Sequence, residues 1–572
     1  REAMVQKASM IITHGRVLTM DPAQDRAEAV ALAGERILAV GSAAEIAALA
    51  GPDCRIIDAR GASVLPGLIE SHLHLFMGGA ELAHLQLLGV SGAEALGQAL
   101  RAYADAHPDL PLITGQGCDY AILEGRALTR HDLDALLPDC PVLLIAADHH
   151  TGWANTAALK AAGILEGATL GPGNEIVMGE DGLATGELRE FEAKAPVLKL
   201  SGMQRISAGI ATGGEPEPAP SRDDLLADCA EMARGLEHCA RHGFTSLVNM
   251  DGNRYTLDVL AELRRQGRLT ARVRVPFHYR NHRRPEDLEI ASKMARDYND
   301  DWLSSGFVKM FMDGVVDSGT AVMINDYPDQ PGWRGEPLFE PEVFAEICTE
   351  CDRRGLQIAV HAIGDGAVRR VIDGYEAARK ANGPRDARNR IEHIELIDRA
   401  DIPRLADLGI VASIQPVHAP GAMDFPLQPT LDKIGSTRWN DAYLCRSLKD
   451  AGVKLAFASD WPVADINPLR GIQAALERPV YEGGQDERLG LHEVIAAYTT
   501  GGAWAEHSED RKGMLRPGYL ADLVVLDGDI EATPVAEIGA MTVRQTICGG
   551  RVVWDGEAVR QAEARETAGQ DA

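Results

Sequence analysis

The sequence predicts an α/β fold: a (β/α)8 TIM barrel, a composite β-sandwich domain from both termini, and an inserted α/β lobe after barrel strand 1. Three observations carry this reading. Helix, glycine and apolar strand recur in that order along the middle of the chain. The first and last sixty-odd residues read instead as short strands and turns. One interruption of the repeat is too long for a bare loop.

Taken in order, residues 10–19, 29–32 and 36–41 read as strands near one end, and residues 521–527 and 546–554 near the other. Two β-rich ends flanking an α/β middle meet as one small sheet domain, residues 1–65 with 508–572. The barrel takes residues 66–85 and 222–507, and its first strand ends near His74. Residues 222–242 then read as a helix, followed by Gly243 and an apolar strand to Asp251. The pattern returns through Gly355 to His361, through Gly409 to Gln415 and through Gly452 to Asp460. Glycine just past a helix takes the left-handed cap conformation at little cost. Apolar strands alternating with helices mark a parallel sheet buried on both faces. Strand ends near Tyr279, Asp313 and His393 bring the count to eight, and a barrel of eight units builds its active site at the carboxyl ends of its strands. Residues 86–221 form the lobe over the mouth, with a strand at 141–147 and a hairpin over 175–187 turning at Asp181 and Gly182.

Composition narrows the function. The chain has 572 residues, 45% hydrophobic and 25% charged, as an ordinary soluble globular protein does. A net charge of -28 with no basic stripe argues against a nucleic-acid partner. No apolar run approaches the roughly 20 residues of a membrane span, so no membrane partner is expected. The first eight residues lack the apolar core of a secretory signal. Nine scattered cysteines point to a reduced, cytoplasmic location. Cys348 and Cys351 make a C-x-x-C, but within a helix and without a second pair, which disfavours a zinc or redox role.

The chemistry gathers at strand ends. His72 and His74, spaced i, i+2 on a strand, share a face and can share a metal ion. Lys309 lies in an apolar strand where a free ammonium is expensive to bury. His361, His393 and Asp460 close later strands. Singly, each has an ordinary reading: a packed core histidine, a snorkelling lysine, a helix-capping aspartate. Jointly they fall where a barrel builds its site.

The motifs that contain these residues are residues 65–74, 308–314, 360–366, 390–393 and 458–463, with a family-like tail over 512–527. Through them the chain resembles the metal-dependent amidohydrolase superfamily, on the branch of N-substituted formamide deformylase-like proteins. The resemblance implies two divalent metal ions, zinc above all, bridged by a carboxylated Lys309. One ion would take His72, His74, Lys309 and Asp460; the other Lys309, His361 and His393. Burial favours the neutral amine that carboxylation needs. Glu392 and Glu395 flank His393, and either orients ligands; for Glu395 a surface salt bridge is an equal reading.

The implied reaction is hydrolysis of a C–N amide-type bond by metal-activated hydroxide, with Asp460 as general base and acid. Substrate contacts are expected from His150 and Trp153 in residues 148–155, from Asp119 and Tyr120, and from Trp461. A tryptophan is usual in the family where Cys118 stands, which leaves pocket size open. Asp313 and Ser318 either face the cavity or serve capping and turn roles. Residues 317–340 and 418–440, rich in Pro, Gly and aromatics, read as lids over an apolar pocket. The partner is a small-molecule amide, with a homodimer as the family-level expectation. The alternatives are a cyclic amidase, deaminase or esterase on the same site, or a regulatory, binding relative.

Overall fold

The computed structural model describes residues 6–202, 204–423 and 425–570; the first five residues of the stretch read for a secretory signal lie outside these. The centre of the chain is built from two all-parallel arcs. One has the order Leu303–Ser304, Arg272–Arg274, Phe244–Asn249, Leu68–Leu73. The other runs Phe277–His278, Phe307–Phe311, Gln357–Ala362, Arg390–His393, Val411–Ile414, Lys454–Phe457. Phe307–Phe311, Gln357–Ala362 and Val411–Ile414 are buried at every residue, as strands covered on both faces must be.

The ladder is interrupted at two seams, which departs from the continuous ring expected. Arg272–Arg274 lies in one arc and Phe277–His278 in the other, and between them Pro276 has no N–H to offer a ladder. At the second seam Lys454–Phe457 and Leu68–Leu73 share no ladder. Their carboxyl ends are tied by Asp460 N to His72 O at 2.9 Å and His74 N to Trp461 O at 2.8 Å.

The helices follow the sequence signals. Arg222–Arg241 starts at a capping box on Ser221 and buries Cys229, Met232, Leu236 and Cys239 along one face. Gly243, at φ 87°, then turns the chain into Phe244–Asn249. Cys348 and Cys351 are buried on Pro341–Arg353, and all nine cysteines are free. Burial pushes both of those thiols up, leaving them inert.

Strands from both ends of the chain share one sheet, in the order Arg551–Asp555, Val543–Cys548, Leu523–Leu526, Ser63–Pro66, Arg16–Leu18, Arg26–Ala27. A second sheet holds Arg36–Gly41, Ala29–Ala33, Ala8–Thr13 and Ala50–Asp58. Met10, Ile12 and Val30 of the second sheet meet Val17, Val64, Leu523 and Ile547 of the first in one core. Arg272 grips Asp522 through two bonds of 2.8 and 3.0 Å, fixing this layer to the third parallel strand. Two expectations are corrected. Residues 10–19 are not one strand: the chain breaks at His14, φ 52°, and its halves enter different sheets. The C-terminal end is not all strand, because Gly556–Gln570 is a helix, as its Glu, Ala, Arg and Gln content favours.

The lobe carries its own six-stranded sheet, from Leu85–Gln86 to the antiparallel pair Glu175–Met178 and Ala184–Arg189. It is held to the parallel arcs by His149 Nε2 on Glu81 Oε2 at 2.8 Å and by Thr320 Oγ1 on Glu190 at 2.9 Å. No helix among the described residues is long and apolar enough to cross a membrane.

Candidate metal centre and active site

Three histidines reach the carboxyl end of the arcs with the same ring nitrogen engaged. His72 donates Nδ1–H to Glu392 at 2.9 Å, His74 to Asp251 at 2.8 Å and His393 to Gln415 at 2.6 Å. An acceptor on Nδ1 fixes the tautomer and leaves the Nε2 lone pair available. His361 differs: its Nε2 is engaged with Gly314 O at 2.8 Å, which leaves Nδ1. The rings of His72 and His393 lie 4.7 Å apart and those of His361 and His393 4.6 Å.

Asp460 stands among them. Its Oδ1 is 3.1 Å from His72 Nε2 and 3.3 Å from His74 Nε2, yet neither contact leaves His72 Nε2 or Asp460 Oδ1 with an aligned hydrogen bond. Burial opposes its ionisation, but His72, His74 and His393 hold the carboxyl well below the usual carboxylate range. Ligand atoms of His72, His393 and Asp460 all lie within 4.8 Å of one another.

Lys309 is fully buried, and its Nζ has no hydrogen-bond partner. Burial pushes its pKa down to about 8, against the attraction of Glu392 and Asp460. Each buried polar group left unpaired costs roughly 1–3 kcal/mol. A divalent cation between them would satisfy His72 Nε2 and Asp460 Oδ1 together. Nitrogen and oxygen donors of this kind suit zinc. The residues fit a metal centre.

The arrangement is braced from behind. Arg390, fully buried, binds Glu392 at 2.7 Å, Ser71 O at 2.6 Å and Ser413 at 3.0 Å. Glu70 accepts from the Ser459 backbone at 3.0 Å and its hydroxyl at 2.9 Å, binding the first strand to the residue before Asp460. Burial pushes the Glu70 carboxyl up to about 8.

A cavity of about 30 Å³ opens on this centre, bordered by His150, His361, His393 and Asp460, and by Asp148, Asp317 and Glu395. His150 Nδ1 pairs with Glu190 at 2.7 Å, and its ring lies 5.2 Å from that of His361. Glu395 faces this cavity rather than a surface ion pair, and burial pushes its carboxyl well above the usual range. A larger cavity of about 440 Å³ is bordered by Phe311, Asp313, Gly314, Ser318, Trp333 and Phe339. Residues 317–340 and 418–440 contribute to these walls: Trp333 to the larger cavity, Phe425 and Thr430 to the smaller.

Residues 55–554 match the amidohydrolase family. The chain belongs to that family. A relative in Arabidopsis thaliana, the protein LONG AFTER FAR-RED 3, is 30% identical over 96% of this chain and 92% of its own. The N-substituted formamide deformylase of Arthrobacter pascens is 26% identical over 96% of this chain and 98% of its own. An uncharacterized metal-dependent hydrolase from Pyrococcus horikoshii shares the fold, with a TM-score of 0.70 at 24% identity over 92% of this chain and 99% of that one. This amidohydrolase is a metal-dependent hydrolase acting on carbon–nitrogen bonds.

The other residues of the amidohydrolase expected to touch substrate make contacts within the protein. Trp153 is buried in the lobe's own core, where strand Thr151–Ala154 packs with Leu144 and Ile113. Trp461 lies against His238 at 5.1 Å and presses on Gly78, where a Cβ would meet its ring at 2.5 Å. Asp119 accepts the Ala121 N–H at 2.8 Å, a turn role. Tyr120 donates to Asp148 at 3.0 Å and shares a 2.7 Å bond with the Thr151 hydroxyl, so it reaches the site through Asp148. Asp313 accepts backbone N–H groups of Val322, Ile363 and Gly364 at 2.9–3.0 Å, pinning two loops while lining the larger cavity. Ser318 bonds Thr320 at 2.8 Å on the same wall.

Sequence reasoning gave no role to Asp251, Gln415, Arg390 or Glu70. For Asp251 and Gln415 a signal existed, since each is a polar residue closing an apolar strand. Nothing in the sequence singles out Arg390 and Glu70, and only their complete burial reveals them.

Proposed function

We propose that this amidohydrolase hydrolyses the amide bond of an N-substituted formamide or a similar moderately hydrophobic amide, with a carboxylated Lys309 among the residues that would hold two divalent ions. The observation that carries the reading is the set of buried atoms without hydrogen bonds, His72 Nε2, Lys309 Nζ and Asp460 Oδ1, beside histidines whose Nδ1 atoms are already committed. His72, His74, Lys309 and Asp460 would hold one ion, and Lys309, His361 and His393 the other. Bound metal supplies Lewis acidity, acidifying water and polarising the carbonyl.

The chain's own residues do the rest. Asp460 takes the proton of the attacking water at its carboxylate and returns it to the leaving nitrogen. Glu392, Asp251 and Gln415 hold the three rings in one tautomer through the cycle. His150, whose depression by burial is overruled by Glu190, stays more readily protonated than an ordinary imidazole and donates to the substrate carbonyl. Phe311, Trp333, Leu338 and Phe339 give the larger cavity an apolar patch among charged lining residues such as Arg189, Glu192, Arg280 and Glu336, which suits an N-substituent of mixed character. In this reading residues 66–85 and 222–507 act as one metal-binding barrel, residues 86–221 cover its mouth, and residues 1–65 with 508–572 form the composite domain.

The test is turnover by zinc-loaded protein on N-substituted formamides, hydantoins, acylated amino acids and aryl esters. Formamides or other open-chain amides should lead. Turnover of ring substrates or esters alone would overturn the substrate class, and no turnover with no bound metal would overturn the enzyme reading.

A further inference from the structure

His278 ends the short strand Phe277–His278, in parallel register against Lys309. Tyr279 N donates to Lys309 O at 2.8 Å and locks that register. Paired residues of a ladder share a face, so His278 and Lys309 lie on the same wall. One aromatic ring lies against both: His278 tilts over Phe311 with centroids 5.5 Å apart, and Lys309 Nζ sits 4.7 Å from the Phe311 centroid.

His278 is fully buried, and neither ring nitrogen has a hydrogen-bond partner. The other imidazoles around the centre differ. His72, His74, His150 and His393 each commit Nδ1 to a side chain, and His361 and His418 commit Nε2 to a backbone carbonyl. An imidazole keeps at least one ring N–H whatever its charge. A neutral imidazole has one N–H donor and one lone pair, and buried polar groups seldom stay unpaired. Lys309 Nζ is the other bare polar atom on this wall.

We propose that His278 is the positioning residue for carboxylated Lys309, its ring N–H donating to a carbamate oxygen and fixing the carbamate for metal binding. This rests on the carboxylation read above. Neutral Nζ adds to the carbon of dissolved carbon dioxide, an N–C bond forms, one C=O pair moves to oxygen, and one amine proton leaves to solvent. Nothing is oxidised or reduced. The anion keeps lone pairs beyond those a metal uses, and His278 supplies the donor for one of them.

The experiment strips the metal, then reloads wild type, His278→Leu and His278→Gln with zinc over a range of ¹³C-bicarbonate. Bound zinc and the ¹³C carbamate resonance are read together. His278→Leu should need at least about tenfold more bicarbonate for half-maximal carbamate, the usual scale for losing such a supporting contact, and His278→Gln, which keeps an N–H donor, should recover most of it. A His278→Leu curve that overlays wild type overturns this inference alone. So does a His278→Gln variant as impaired as His278→Leu. Wild type without carbamate at any bicarbonate concentration overturns the carboxylation reading and this inference with it. Should His278→Leu fail to fold, a crystal of wild type grown with zinc and bicarbonate decides. A ring nitrogen within about 3.2 Å of a carbamate oxygen supports the proposal, and a longer separation overturns it.

Discussion

Glu392 accepts the Nδ1–H of His72 at 2.9 Å while Arg390 grips the same carboxylate at 2.7 Å, all three side chains being fully or almost fully buried. Burial disfavours the Glu392 anion, but Arg390 and His72 hold its pKa far below the ordinary range. Glu392→Gln removes the charge from both partners. Zinc affinity should fall about 10–100-fold, and the uncompensated Arg390 should cost about 3–5 kcal/mol of stability. Chelator competition and urea unfolding measure the two. Unchanged zinc affinity would mean that Glu392 does not orient His72.

Asp460 carries the proton in the proposed reaction. Asp460→Asn should keep much of its metal while kcat falls at least about 10²-fold, the usual scale of general acid–base catalysis. Metal analysis beside steady-state kinetics separates the two effects. Undiminished kcat would remove Asp460 from the proton path.

Gly78 sits beneath Trp461, the residue next to Asp460, and an added Cβ would lie 2.5 Å from the buried ring. That ring has little room to move. Gly78→Ala should therefore cost about 1–3 kcal/mol and lower kcat by displacing the loop after the last parallel strand. A variant as stable and active as wild type would show that the loop absorbs the methyl freely.

The strand ends and metal-centre candidates were legible because they combine two patterns, apolar strands and polar residues at their carboxyl ends. His72, His74, Lys309, His361, His393 and Asp460 all lie where that combination puts them. The packing of Trp153 and Trp461 was not legible, because large aromatics near a site motif carry no sign of whether they face a cavity or a core. Arg390 and His278 were missed for the converse reason, since burial of a polar side chain inside the arcs is a tertiary fact. The break at His14 was invisible because residues 10–19 are apolar enough to read as one strand, while the sheet each half enters depends on residues near the opposite end of the chain.

Glu531 ties the two ends together, accepting from Arg26 at 2.5 and 2.7 Å and pairing with His492 at 2.9 Å. Hydrogen bonding from Arg26, opposed by burial, holds its carboxyl at about 2, below the ordinary 4.5. A carboxylate depressed in the folded state contributes stability above its unfolded pKa and loses it as pH falls through the folded one. Arg26 is exposed and Glu531 partly so, which screens the pair and keeps the contribution to at most about 1 kcal/mol. Glu531→Gln should lower stability by up to that amount at pH 6, and the difference should shrink between pH about 4.5 and about 2. Urea unfolding at pH 6 and pH 3 gives the comparison; an equal difference at both would contradict the assignment.

The most direct measurement is turnover of an open-chain amide by chelator-stripped protein as zinc is titrated back, with bound metal counted at each point. Activity should be absent at the start, rise in step with bound zinc, and fail to return in His72→Asn. Full turnover by the stripped chain, or activity that does not follow bound metal, would contradict a metal centre at these residues.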